Sequence, residues 1–204
     1  MMLLDFLLHI DKYLVFLMEN FGLWIYLFLF AIIFFETGFV FTPFLPGDSL
    51  LFIAGTLAAS DSLNIFLLFF ILSMAAILGD SMNYFAGNYF GKKILARKNL
   101  IRKEYLEKTY DFYDKHGNKT IILARFVPII RTFAPFIAGI GKMNYFRFAA
   151  FNIIGGFAWV SIFIFSGYFF GGIPFVENNL GKITIIIIFV SLLPILFEVL
   201  KRRK

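Results

Sequence analysis

Five charged side chains stand in otherwise apolar surroundings: Glu36, Asp48, Asp80, Arg125 and Arg131. Carboxylates at such places can carry protons, and a guanidinium fork suits bidentate recognition of phosphate. At roughly 2.5–3.5 kcal/mol per charge at a helix centre in lipid, four left unpaired would cost on the order of 10–14 kcal/mol. That is about the whole stability of a typical domain. The charges must therefore pair, sit in a wet cavity, or, for the acids, be neutralised. A purely stabilising salt-bridge cluster is the plain alternative, but apolar residues usually serve stability as well, so the charges point to function.

The breaks beside these charges carry a second signal. Pro43, Pro46 and Gly47 lie just before Asp48, and "RFVPIIRTFAP" places Pro128 and Pro135 around Arg131. Proline removes a helix hydrogen bond and glycine permits a tight turn. The backbone groups and helix ends so freed can hold an ion or a phosphate. Read otherwise, "PFLPGD" is a plain extramembrane loop. Without cysteine there is no disulfide or thiolate site, and His9 and His116 form no metal-ligand pattern. No catalytic residue, metal or cofactor is expected.

What must position these side chains is a membrane-embedded helical fold. The chain is 60% hydrophobic with 31 Phe, and its mean hydropathy is +0.84. A soluble domain of 204 residues has no core large enough to hide that surface. Several stretches reach the roughly 20 apolar residues that cross a bilayer. Residues 1–19 show no basic n-region or cleavage site and read as an interfacial amphipathic helix, or as the ragged start of a first span. A single transmembrane domain is expected over 20–200, with a basic tail at 201–204.

Lysine and arginine set the orientation. Nine of the 19 lie in 92–119, and others are Lys142, Arg147 and the final "KRRK", so these face the cytoplasm. Between Lys119 and Lys201 the chain must then cross an even number of times, yet three apolar segments lie there. The segment 120–141, interrupted by Arg, Pro and Gly, is expected to enter and leave from the cytoplasmic side as a re-entrant hairpin. Such backbone survives at membrane depth only against protein or a wet cavity. The same reasoning makes 43–60 a hairpin from the outside, and both termini cytoplasmic. "FIAG" closes both hairpins, at 52–55 and 136–139, and each is followed by a helix ending in GxxxG, Gly87/Gly91 and Gly167/Gly171. The expected fold is an all-α polytopic membrane protein: an inverted repeat with two opposed re-entrant helical hairpins plus transmembrane helices. That is the architecture of secondary transporters.

Between the hairpins, 63–91 reads as a long apolar helix interrupted by "GDSMNYFAGNYFG". Asp80, Tyr84, Gly87 and Gly91 share one of its faces, with the glycines serving close packing. Asp80 is expected to be structural, paired with Tyr84 or a hairpin backbone group. Asn152, Gly155, Gly156 and Trp159 read as packing residues, Asn152 alternatively bonding a hairpin carbonyl. The basic segment 92–119 is either a surface helix on anionic lipid or a solvated loop. Nucleic acid is a poor partner, because positive-inside topology already explains the charge.

Several ordered motifs together resemble the DedA family, within the wider SNARE-associated Golgi or VTT-domain group. They are "ETGFVFTPFLPGD" (36–48), "GDSMNYFAGNYFG" (79–91), "FYDKHG" (112–117), "RFVPIIRTFAPFIAGIGKMNYFRF" (125–148) and "NIIGGFAW" (152–159). The resemblance implies a bacterial inner-membrane protein that translocates lipids. Undecaprenyl phosphate is the leading substrate, phosphatidylethanolamine another, with dependence on the proton gradient. It maps the functional acids onto Glu36 and Asp48 and the functional arginines onto Arg125 and Arg131. The expected function is thus a proton-coupled flippase for a phosphate-headed polyprenyl lipid. The acids would carry protons or hold the arginines when the site is empty. Its partners are membrane lipids, the polyprenyl phosphate and protons, with a homo-oligomer left open. A proton-coupled small-ion exchanger and a phosphatidylethanolamine flippase or scramblase are the alternatives. A lipid phosphatase lacks a histidine near Arg125, and a scaffold would need no buried acids.

Overall fold

A computed structural model describes residues 22–39, 47–60, 63–96 and 103–177, together with 179, 183, 186 and 187. The segment 1–19, Pro43, Pro46, most of the apolar stretch 181–200 and the tail 201–204 lie outside the described residues. All regular structure among the described residues is helical. In chain order the helices are α1 (Trp24–Gly38), α2 (Gly47–Ala59), α3 (Ile65–Ala96) and α4 (Lys103–His116). They continue with the single turn α5 (Thr120–Leu123), then α6 (Pro128–Ile140), α7 (Tyr145–Gly171) and the single turn α8 (Pro174–Glu177).

Length separates these helices into two kinds. The apolar stretches Ile65–Gly91 and Tyr145–Gly171 each run 27 residues, enough to cross a bilayer. With 13 residues each, α2 and α6 reach only about 20 Å at 1.5 Å per residue, short of the ~30 Å hydrocarbon core. α1, with 15 residues, is also short for a span. Phe66, Phe70, Phe90, Phe146, Phe169 and Phe170 are all more than half exposed along α3 and α7. In water such a surface would be an aggregation hazard; in lipid it is the ordinary outside of the protein.

"GDSMNYFAGNYFG" does not interrupt α3, which runs unbroken from Ile65 to Ala96. The glycines are tolerated because the neighbouring helix fills the space a side chain would take. The real break is at Val127, whose backbone is extended (φ −123°, ψ 101°) between a 3₁₀ turn at Ala124–Phe126 and α6. A residue before proline avoids the helical region, and Pro128 then sits in the first turn, where its missing N–H is harmless. Pro135 inside α6 denies the Arg131 carbonyl its usual helix donor. Just past the end of α6, Lys142 takes φ 52°, and the Met143 N–H reaches back to the Ala138 carbonyl at 3.0 Å. This left-handed cap turns the chain into α7.

The chain forms two compact units. One is built from the described parts of Met1–Ile32, Pro46–Ser73 and Val160–Lys204, the other from those of Ile33–Leu45 and Met74–Trp159. In the first unit, α2 packs on α7. A methyl on Gly167 would drive into the Phe52 carbonyl and stand 3.1 Å from the Phe52 Cα. In the second, α6 packs on α3, and a methyl on Gly87 would strike the Phe136 carbonyl, again 3.1 Å from Cα. The reverse contacts also match: Gly55 faces the backbone of Ile164 and Tyr168, and Gly139 that of Tyr84 and Asn88. Both long helices open on an asparagine cap. Asn64 Oδ1 accepts the Leu67 N–H at 3.0 Å, and Asn144 Oδ1 the Arg147 N–H at 3.2 Å. Asn64 to Gly87 and Asn144 to Gly167 are equal separations along the chain.

The basic segment is no solvated loop over Lys103–His116. On α4, Leu106 and Tyr113 pack against Phe133, Phe136 and Ile137 of α6. The Tyr113 hydroxyl donates to the Ala134 carbonyl at 2.9 Å. Burial foremost, and the charge of Asp80 second, push the Tyr113 phenol far above its usual range, so it remains a donor.

Candidate functional site: a buried arginine–carboxylate cluster

Four of the five conspicuous charges meet in the second unit. Arg125, in the 3₁₀ turn before Val127, places Nη2 2.6 Å from Asp80 Oδ2 of α3, with both side chains under 5% exposed. The same nitrogen donates to Asn152 Oδ1 of α7 at 2.6 Å. Asn152 Nδ2 in turn donates to the Ile77 carbonyl at 2.9 Å, so both ends of the amide are used. Gly155 makes room: a Cβ there would stand 3.3 Å from Arg125 Cδ and Nε. Among the described residues, Arg125 Nε and Nη1 are buried and meet no acceptor.

Arg131 follows Val127 by one helical turn, and its N–H bonds the Val127 carbonyl at 2.8 Å. Its Nη2 donates to Glu36 Oε2 near the end of α1 at 3.2 Å. Its guanidinium carbon lies 4.0 Å from the centroid of the Trp159 ring, and that of Arg125 lies 5.9 Å away. Asn83 fastens the backbone on both sides of this pair. Its Nδ2 donates to the Thr132 carbonyl at 2.8 Å and the Thr37 carbonyl at 3.4 Å. Thr37 follows Glu36, and Thr132 follows Arg131. α1 approaches α3 where neither helix has a side chain: a Cβ on Gly38 would stand 3.5 Å from Gly79 Cα.

Chemically the cluster is balanced, with two carboxylates against two guanidiniums when all are ionised. A dry environment makes each charge depend strongly on its partner. An anion entering beside the arginines would leave the cluster one negative charge or more out of balance, and protonating a carboxylate would restore neutrality. Among the described residues no three His, Asp or Glu side chains gather to hold a metal.

The remaining expected residues fall elsewhere. Asp48 stands half-buried in the first turn of α2, in the other unit, where a negative charge complements the helix N-terminus. Pro128 and Pro135 flank Arg131, and Gly47 opens α2. Gly87 and Gly91 face α6. Asp80 does not pair with Tyr84; its partner is Arg125. The Tyr84 hydroxyl instead donates to the Met143 carbonyl, and its ring stacks on Phe148 at 4.6 Å. Asn152 bonds Arg125 rather than a hairpin carbonyl. Asn83 was missed, although a polar residue inside an apolar helix is itself a signal. Nothing in the sequence distinguishes Trp159 from a packing tryptophan.

A profile of the VTT domain matches residues 45–169. Protein DedA of Escherichia coli strain K12 is 52% identical over 206 residues, covering 99% of this chain and 94% of its own. An uncharacterised membrane protein of Mycobacterium leprae is 44% identical across 81% of this chain and 75% of its own. Inner membrane protein YghB of Salmonella typhimurium is 33% identical across 84% and 78%. No solved structure matches. The stretch matched by the profile takes in the break at Val127–Pro128, both arginines and Asp80, and with that coverage the chain belongs to the DedA family of VTT-domain membrane proteins.

Proposed function

We propose that this protein is a flippase of the bacterial cytoplasmic membrane that moves a phosphate-headed lipid, undecaprenyl phosphate foremost, between leaflets, coupled to protons. One observation carries the reading. Two guanidiniums sit in a buried, charge-balanced cluster, and Nε and Nη1 of one of them meet no acceptor among the described residues. Such donors suit the oxygens of a phosphate monoester. The acids explain coupling. The phosphate takes Arg131 as Glu36 lets go, and a proton on Glu36 keeps the cluster neutral. Asp48 is the second proton-carrying acid.

The topology of the reading is multi-pass, with both termini cytoplasmic. Segments 43–60 and 120–141 are re-entrant hairpins entering from opposite faces, in an inverted repeat. The matched glycine contacts of α2 and α6, the matched asparagine caps of α3 and α7, and the shortness of α2 and α6 support it. Hairpins open in turn to each face would give alternating access, with the lipid tail left in the bilayer.

Two tests follow, both in liposomes with a leaflet-specific assay for undecaprenyl phosphate. Lysine keeps the charge of Arg125 or Arg131 but loses the fork. At roughly 1.5–3 kcal/mol per charged hydrogen bond, Arg125→Lys and Arg131→Lys should each weaken headgroup binding about 10- to 150-fold at matched expression. Normal binding in both would reduce the arginines to counter-ions and favour the small-ion exchanger. Because binding takes up a proton, affinity should rise as pH falls, by up to about tenfold per pH unit for one proton. Glu36→Gln should flatten that dependence and abolish gradient-driven transport. An unchanged slope in this variant would remove Glu36 from the coupling.

A further inference from the structure

Besides the acids, an aromatic ring lies against both guanidiniums. Trp159 is fully buried in α7, with the Arg131 guanidinium carbon 4.0 Å and that of Arg125 5.9 Å from its ring centroid. Both distances are within the roughly 6 Å over which an indole face attracts a cation. The Arg131–Glu36 contact, at 3.2 Å, is long beside the 2.6 Å of Arg125–Asp80. The two ways of holding Arg131 also differ in kind. A carboxylate occupies N–H donors at the edge of the guanidinium. An indole holds the flat face and leaves the edge to other oxygens.

We propose that Trp159 is the positioning residue of the headgroup site: its ring holds the Arg131 guanidinium in place while Glu36 and the lipid phosphate exchange on its edge. This rests on the reading of Arg131 as a phosphate-binding residue, and it explains how Arg131 keeps its aim once Glu36 is protonated. A guanidinium held on its flat face loses less rotamer freedom when it binds an anion on its edge, so a smaller ordering cost weakens binding. The ring also adds an attraction that does not depend on the protonation of Glu36.

The sequence supplies a reporter. Its two tryptophans are Trp24 and Trp159, and Trp24 is 64% exposed. The full chain carrying Trp24→Phe, in phosphatidylcholine nanodiscs, therefore reports Trp159 fluorescence alone. In that background, Glu36→Gln should leave the emission maximum and lifetime as in the parent between pH 5 and 8, while Arg131→Gln should move both. If Glu36→Gln moves them as far as Arg131→Gln, the carboxylate rather than the indole holds the guanidinium, and the proposal fails.

Undecaprenyl phosphate binding gives the second arm. Trp159→Leu should lose about 30-fold in affinity, the equivalent of about 2 kcal/mol for a desolvated cation–π contact. Trp159→Phe, which keeps an aromatic face, should recover most of it and restore the parent pH dependence. Equal losses in the Leu and Phe variants would leave Trp159 a packing residue only. If the parent itself binds no undecaprenyl phosphate, the headgroup reading falls, and the fluorescence comparison still decides whether Trp159 holds Arg131.

Discussion

Replacing Asp80 or Arg125 singly should destabilise the protein far more than replacing both. The two side chains are 4% and 2% exposed and touch at 2.6 Å. Asp80→Leu leaves the Arg125 guanidinium buried without its counter-ion, and Arg125→Met does the same to the carboxylate. Breaking one side of a buried pair costs about 3–5 kcal/mol, so independent effects would sum to roughly 6–10 kcal/mol. An apolar replacement of the whole pair is often neutral or better. Here Asn152 Oδ1 would lose its donor, which costs about 1–3 kcal/mol for a buried acceptor. The double variant should therefore lie only about 1–3 kcal/mol below the parent, with a coupling energy of several kcal/mol. Equilibrium unfolding of the four proteins in mixed micelles measures this cycle, and undecaprenyl phosphate binding is measured on the same samples. Stability should return in the double variant while binding does not. Single losses under about 1 kcal/mol, or losses that simply add, would refute the coupled pair. Normal lipid binding in the double variant would remove Arg125 from the headgroup site.

Gly139→Ala, whose methyl would enter the Tyr84 carbonyl, should lower stability by about 1–3 kcal/mol or more. Gly172→Ala meets nothing within 4 Å among the described residues and should stay within about 0.5 kcal/mol; equal thermal shifts for the two would contradict the close helix approach. Because the chain has no cysteine, single cysteines report topology without background. Ser60→Cys should label from outside, Asn118→Cys and Lys142→Cys from inside. Labelling of 118 and 142 from opposite faces would sink the second hairpin and the inverted repeat with it.

Much of this molecule is legible in its sequence because lipid imposes simple rules. A long apolar run must be helical, since no water satisfies its backbone. A charge within such a run stands out by its cost. Glu36, Arg125 and Arg131 were visible for that reason, and so was the break before Pro128, which follows from proline's own stereochemistry. Helical spacing also aligned Gly87 and Gly91, and the structure gives them a neighbour to press against. The same rules could not say who meets whom. Spacing along one helix offered Asp80 only Tyr84, four residues on. Its actual partner, Arg125, comes from a different element and is brought to 2.6 Å only when the turn before α6 packs against α3. Asn83 and Trp159 differ from packing residues solely in what faces them: two carbonyls beside the Glu36–Arg131 pair, and two guanidiniums over one ring. Local rules set helix and burial because they depend on neighbours in sequence. The pairing of buried charges depends on the approach of distant backbones, and only the tertiary structure decides it.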